Sequence, residues 1–344
     1  MSDLRAAICG LTPIAARRPA TTFFGRVPIS HAAGYAAHPG CRMVAVADFR
    51  EDLITAFREA WGDTWPAVAG YTSVDHLLAE AQPSLLSVCT PDNRHAEVVT
   101  AAAGAGVRGI LCETPLATTV ADADRMLAAV KAAGAHLVVN HARRFDPLFH
   151  LVRDALRLGE IGSLRHLRCY HSGPRAMLFR NGVHAIDVLC FLADSPVVEL
   201  TGRLEAGFEH WDTYRGDGGH DPASEPTATA SLVFANGVTA SYDGVRTRDR
   251  ALWFDLIGSD GVIRLFERHA ELVSQGTTRT LVARPYDAVG LAAAVFELAD
   301  LVQNGGDSVS GAANARHVVE ILEGILRSSH QGARPLALPL EDII

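Results

Sequence analysis

Through the first 140 positions, short apolar and β-branched runs alternate with alanine-rich stretches of helical character. The runs fall at residues 4–9, 43–47 (MVAVA), 85–89 (LLSVC), 107–112 (VRGILC) and 136–140 (HLVVN). Helical segments are expected at 54–60, 74–81, 95–105 and 120–133. Strands that recur with helices between them require crossover connections, and these build a parallel sheet covered on both faces. The alternation therefore predicts an α/β, doubly wound domain.

Beyond Asn140 the pattern changes. A helix is expected at 147–158, a strand at 164–170 and an apolar helix at 184–192, followed by alternating strands at 227–234, 238–242, 253–257 and 262–266. Asn236-Gly237 and Asp260-Gly261 are strong hairpin signals between such runs. Residues 208–225, rich in Gly, Asp and His, read as a loop, and a last helix is expected at 312–328 before a proline-containing tail. This half reads as α+β with a largely antiparallel sheet. At 344 residues the chain is long enough for two such domains, placed at 1–142 and 143–344.

Composition narrows the function classes. The net charge is −8 and no basic stripe is present, which argues against a nucleic-acid partner. No apolar run approaches a membrane span, and MSDLRAAICG lacks the architecture of a secretory signal, so a cytoplasmic protein is expected. Six cysteines, at 9, 41, 89, 112, 169 and 190, include no CxxC pair and read as reduced thiols, and no metal site is expected.

Five segments, in order, carry a family resemblance: HAAGYAAHPGCRMVAVADFRED (31–52), SVCTPDNRHAEVVTAAAGAGVRGILCETPLA (87–117), NHARRFDP (140–147), LGEIGSLRHL (158–167) and NGVHAIDVLCFL (181–192). Together they resemble the glucose–fructose oxidoreductase / inositol dehydrogenase / MocA group. The resemblance implies an N-terminal Rossmann domain, NAD (with NADP possible) as cofactor, a sugar, cyclitol or related polyol as small-molecule substrate, and a homo-oligomer, dimer or tetramer.

Two departures stand out. A Rossmann fingerprint wants G-x-G-x-x-G after the first strand, so that backbone can approach the pyrophosphate. Here Gly10 is followed by no glycine until Gly25, across a stretch with Arg17, Arg18 and Arg26. That stretch is either a substitute phosphate site, a sign of weakened pyrophosphate binding, or a surface loop with solvated arginines. The second departure lies in the group's Glu-Lys-Pro tripeptide, whose lysine shares proton transfer with a histidine. In this chain it reads Glu113-Thr114-Pro115, and the only lysine, Lys131, lies near the end of the following helix.

Asp48 closes the second strand, where an acid can accept from ribose hydroxyls; Arg50 nearby could tolerate a 2′-phosphate. Thr90, Pro91, His95, Glu113 and Pro115 match the group's cofactor-side loops, though turn and capping chemistry accounts for them equally well. On the catalytic side the resemblance picks out His184. Asp187 follows one turn later on the same helix face, where a carboxylate can orient the imidazole. Thr114 can hydrogen-bond a substrate but is no comparable base. Arg180 stands where the group usually has an aspartate and would favour an anion. His171, Arg175 and Asn181 are further substrate candidates, and Arg143 and Arg144 read as ion-pair formers. The alternatives are a redox-neutral enzyme (lyase, epimerase or hydrolase) on the same scaffold, favoured by both departures, and a non-catalytic ligand-binding homologue.

Overall fold

The computed structural model describes residues 4–19, 29–217, 221–283 and 288–340; Gly25 and Arg26 lie outside them. The chain begins with β1 (Leu4–Cys9), a single helical turn α1 (Pro13–Ala16), α2 (His31–Ala37) and β2 (Cys41–Ala47). It continues through α3 (Glu51–Trp61), β3 (Ala69–Tyr71), α4 (Val74–Ala81), β4 (Leu85–Val88) and α5 (His95–Gly104). Next come β5 (Gly109–Cys112), α6 (Val120–Ala133), β6 (His136–Val139), α7 (Pro147–Arg157), β7 (Leu164–Gly173) and α8 (Val183–Ala193). Then follow β8 (Val197–Leu204), β9 (Ala228–Phe234), β10 (Thr239–Arg246), β11 (Ala251–Gly258), β12 (Gly261–Leu265), β13 (Ala270–Ser274) and β14 (Thr277–Leu281). The chain closes with α9 (Leu291–Asn304), α10 (Ala312–His330) and β15 (Leu336–Ala337).

Local chemistry sets the helix ends. Ser30 caps α2, its Oγ accepting from Ala33 N–H at 3.1 Å, and Thr119 caps α6 in the same way at Asp122. Asp146 accepts from Leu148 N–H ahead of Pro147 at the first position of α7. Gly134 ends α6 in the left-handed conformation, φ +64.

Two compact units form. The first comprises the described parts of Met1–Phe145, Gly216–Gly218 and Pro285–Arg316. Its six-stranded sheet has the order β3-β2-β1-β4-β5-β6 and is parallel throughout, so the strand order reverses between β1 and β4. Ligands bind at such a switch point, beyond the carboxyl ends of the strands. Leu4, Ile8, Leu85, Leu86 and Ile110 are fully buried in this sheet. The described part of residues 285–316, which the sequence reading assigned to the second domain, returns to this unit, and its helix α9 packs here. Leu298 and Val302 lie over Gly109, and Val295 over Gly34. At the turn after β1, Gly10 has φ +82, and a Cβ there would lie 2.4 Å from the Cys89 carbonyl oxygen, so the position requires glycine.

The second unit comprises the described parts of Asp146–Arg215, Gly219–Arg284 and His317–Ile344. Its nine strands run β14-β13-β12-β11-β7-β10-β9-β8-β15. Only the β7–β10 pairing is parallel, which makes the sheet largely antiparallel. Val152, Ile186, Leu189, Leu256, Ile321 and Ile325 close a single core from α7, α8, the sheet and α10. Among the described residues no helix is long and apolar enough to cross a membrane.

Candidate active site

In the first unit, a cavity of about 760 Å³ opens at the carboxyl ends of β1, β2 and β4. Gly10, Asp48, Arg50, Thr90 and Pro91 line it, as does Asp217, which the sequence reading placed in a loop. Asp48 is held in place by two backbone donors: Leu11 N–H at 2.7 Å on Oδ2 and Arg50 N–H at 3.0 Å on Oδ1. A carboxylate oxygen has more than one lone pair, so each keeps capacity for a ribose hydroxyl. Thr90 Oγ1 is buried in the cavity wall with no hydrogen-bond partner among the described residues. Buried polar atoms rarely lack partners, and this one fits a ligand that supplies it. Asp48 and Thr90 therefore fit the adenosine-side half of a dinucleotide.

Two of the arginines expected to meet phosphate, Arg50 and Arg18, are already engaged. Arg50 donates to Asp52 through Nε at 3.1 Å and Nη2 at 2.5 Å. Arg94, also in the wall, pairs with Glu97 at 2.8 Å. Arg18 makes a forked contact with Asp63 and lies 5.2 Å from the Trp61 ring, anchoring its loop to α3. With Asp48, Asp75 and Asp217 also in the lining, the cavity suits NAD better than the more anionic NADP.

His95, Glu113 and Pro115 lie outside this lining. His95 is buried, its Nδ1 3.0 Å from the Pro115 carbonyl oxygen and Nε2 3.1 Å from that of Thr90, so it clamps two loops together. Glu113, at the end of β5, accepts from His31 Nε2 and Asn140 Nδ2, both at 2.7 Å, and from Thr114 N–H at 3.3 Å. The other nitrogen of His31 lies 2.8 Å from Ser87 Oγ, which is 3.0 Å from Tyr35 Oη. The chain is satisfied when Tyr35 donates to Ser87, Ser87 to Nδ1 of His31, and Nε2–H to Glu113. Burial raises the Glu113 pKa, but the His31 hydrogen bond, with Asn140 and the Thr114 N–H, outweighs it and holds it below the ordinary carboxylate value. Glu113 is thus a fixed anion and a weak base, and does not replace the absent lysine.

Other groups of this unit are no better suited. Thr114 is half-buried, and Lys131 is exposed in the last turn of α6. Burial, helped by Arg144, drives His141 down to about 3, so it stays neutral. Arg144 donates to the Val309 carbonyl at 3.1 Å within the same unit. The Cys9 thiol is pushed by burial to about 12, and those of Cys89 and Cys112 also rise. None is a nucleophile at neutral pH.

In the second unit, a π-helical turn (Leu178–Gly182) leads into α8. His184 is half-buried near the start of α8, and Asp187, three residues on, is 1% exposed. The imidazole is thus accessible while the carboxylate on the same helix face is held inside. His171 Nδ1 lies 3.0 Å from Tyr242 Oη, and a Cβ on Gly182 would lie 2.6 Å from that hydroxyl. Tyr242 therefore ties His171 to the start of α8. Burial raises its phenol pKa, so it stays protonated.

Arg180 departs from expectation. Its Nε lies 3.3 Å from Oε2 of Glu225, which is 2% exposed, and Glu225 Oε1 accepts from the Phe179 and Arg180 N–H groups. The charge expected to attract an anion is matched internally. Asn181 Oδ1 and Arg175 Nε, by contrast, are buried and lack hydrogen-bond partners among the described residues.

Sequence reasoning missed His31, Ser87, Asn140, Glu225, Tyr242 and Asp217. Only His31 had a local signal, a histidine at the first position of a Ser-capped helix. Asn140, Glu225, Ser87 and Tyr242 join through contacts across 27 to 71 positions in sequence.

Comparison with known proteins agrees with this fold. Residues 23–141 match the family model described as "Oxidoreductase family, NAD-binding Rossmann fold", and residues 149–264 match "GFO/IDH/MocA C-terminal domain". Inositol 2-dehydrogenase of Rhizobium meliloti is 30% identical over 236 residues, covering 63% of this chain and 68% of that protein. Inositol 2-dehydrogenase 1 of Saccharopolyspora erythraea is 34% identical over 171 residues, 47% of this chain and 50% of that protein, so this match spans only half its length. The crystal structure of aldose-aldose oxidoreductase from Caulobacter crescentus superposes with a TM-score of 0.82 at 20% identity, covering 98% of this chain and 100% of that one.

Proposed function

Because the chain belongs to the GFO/IDH/MocA oxidoreductase family, with its NAD-binding Rossmann domain, we propose that it is a dehydrogenase of a sugar, cyclitol or related polyol in which His184 handles the proton alone. The observation that carries this reading is the pairing of an accessible His184 with the buried carboxylate of Asp187 on one helix face. In alcohol oxidation a carbinol C–H leaves as hydride and the O–H proton goes to a base, giving a carbonyl. The bound dinucleotide supplies the hydride acceptor.

The roles of this chain's own residues follow from their chemistry. Asp48 would accept from the ribose hydroxyls, and Thr90 and Pro91 would border the same ligand. His184 would take the hydroxyl proton, with Asp187 favouring the resulting imidazolium. Thr114, in place of the lysine, would hydrogen-bond the substrate oxygen without taking its proton. His171 and Asn181 would contact the polyol.

The lysine's absence favours a second reading, a redox-neutral reaction on the same scaffold. Calorimetric titration with NAD, NADH, NADP and NADPH tests the first requirement. NAD and NADH are expected to bind and the phosphorylated pair to bind at least about tenfold more weakly; no binding by any of the four overturns the dehydrogenase reading. Binding without NADH formation from a panel of polyols favours the redox-neutral one.

A further inference from the structure

Four arginines lie along or against the connection from β7 to α8, and they differ in what faces them. Arg180 is matched by Glu225. Arg246 is matched by Glu205 through Nε at 3.0 Å and Nη2 at 3.1 Å, and it also donates to the Pro174 carbonyl at 3.2 Å. Arg250 is exposed, its stem against Gly173. Arg175, in the turn after β7, is half-buried, and its Nε is buried without a hydrogen-bond partner among the described residues. No carboxylate among the described residues pairs with it.

A buried, unpaired guanidinium donor is unfavourable in an empty protein and is favourable where an anion arrives to meet it. On the same connection the buried Asn181 Oδ1 is an equally unpartnered acceptor, suited to a hydroxyl. Arg175 Nε is suited to an anionic oxygen and Asn181 Oδ1 to an O–H. Both lie on the strand-to-helix connection that Tyr242 gathers, through His171 at one end and Gly182 at the other, immediately before His184.

We infer that the substrate is an anionic polyol, a sugar acid or sugar phosphate, and that Arg175 binds its charged group. This rests on the polyol dehydrogenase reading for the identity of the site, while the charge preference is a separate claim. Arg180, which the sequence favours for that task, is excluded by Glu225.

The test is calorimetric binding to the NADH-saturated protein, which cannot turn over alcohols, using aldoses each paired with its uronic acid and its phosphate ester. At least one anionic member is expected to bind roughly tenfold to a hundredfold tighter than its neutral parent, the range of one charge-assisted contact. Arg175→Met, which keeps an apolar stem, should bring the ratio close to one, and Arg175→Lys should restore part of it. Thermal unfolding and NADH affinity of both variants establish that they are folded. Failure of every anion to bind, equal binding of neutral and anionic partners, or a preference that survives Arg175→Met overturns the inference. Uronate and phosphate arms identify which anion is preferred. Arg175-dependent anion binding without NADH formation in a separate turnover assay would instead overturn the dehydrogenase reading and leave this inference standing.

Discussion

Nε2 of His31 lies 2.7 Å from Oε1 of Glu113, and this contact holds a carboxylate charged at the carboxyl edge of the parallel sheet. The side chain of His31 is fully buried and that of Glu113 is 16% exposed. An ion or polar pair so placed is costly to break by removing one partner.

Glu113→Gln is therefore expected to destabilise the protein at neutral pH, by about 2–3 kcal/mol as an order of magnitude for a buried charge-assisted contact. The sign of its pH dependence follows from the depressed carboxyl of the folded state. Its stabilisation is present above the ordinary carboxylate pKa and is lost as pH falls through the lower folded value. Urea unfolding from pH 7 down to pH 3 should show the wild-type advantage shrinking toward acid. A gap that stays constant or widens would contradict the role given to Glu113.

His184→Ala should lower kcat by roughly 10²–10⁴, the usual contribution of a positioned acid/base, with NAD affinity unchanged by calorimetry. Wild-type turnover in this variant would remove His184 from the chemistry.

Thr114→Lys returns an ionisable amine to the position where the family resemblance expects one. An increase in kcat of about tenfold or more is expected, a fraction of what a second proton-transfer group can supply. No gain, in a variant whose unfolding curve matches the wild type, would show that proton transfer had been relocated and not merely weakened.

Gly10→Ala should cost about 2–3 kcal/mol, since a left-handed backbone and a close backbone contact are both violated. Denaturant midpoints measure it. NAD affinity should fall as well, because the displaced Cys89–Thr90 backbone forms the cavity wall. A variant as stable as wild type would mean that this turn relaxes freely.

The doubly wound sheet was legible because its strands, buried on both faces, read as apolar runs with helices between them. Asp48, Thr90 and Pro91 were legible as cavity residues because strand ends in such a sheet have a fixed functional direction. The short strand Ala69–Tyr71 was not, since three half-buried residues carry no period. Nor were β8, β13 and β14, whose exposed positions dilute the alternation. Arg180 misled because its partner Glu225 comes 45 positions later, from a loop with no periodicity. The clamp made by His95 was hidden because its partners are backbone carbonyls, which leave no trace in composition.

Residues 4–139 contain every strand of the parallel sheet, yet Val295, Leu298 and Val302, which press on Gly34 and Gly109, come more than 150 positions later. A nascent chain emerging from the ribosome would therefore hold a six-stranded layer bare on part of one side until α9, more than 150 positions further on, had been made. An excised 1–145 fragment would carry that greasy patch permanently and should clump at micromolar concentration. Dissection of this protein must keep α9 with the sheet it covers.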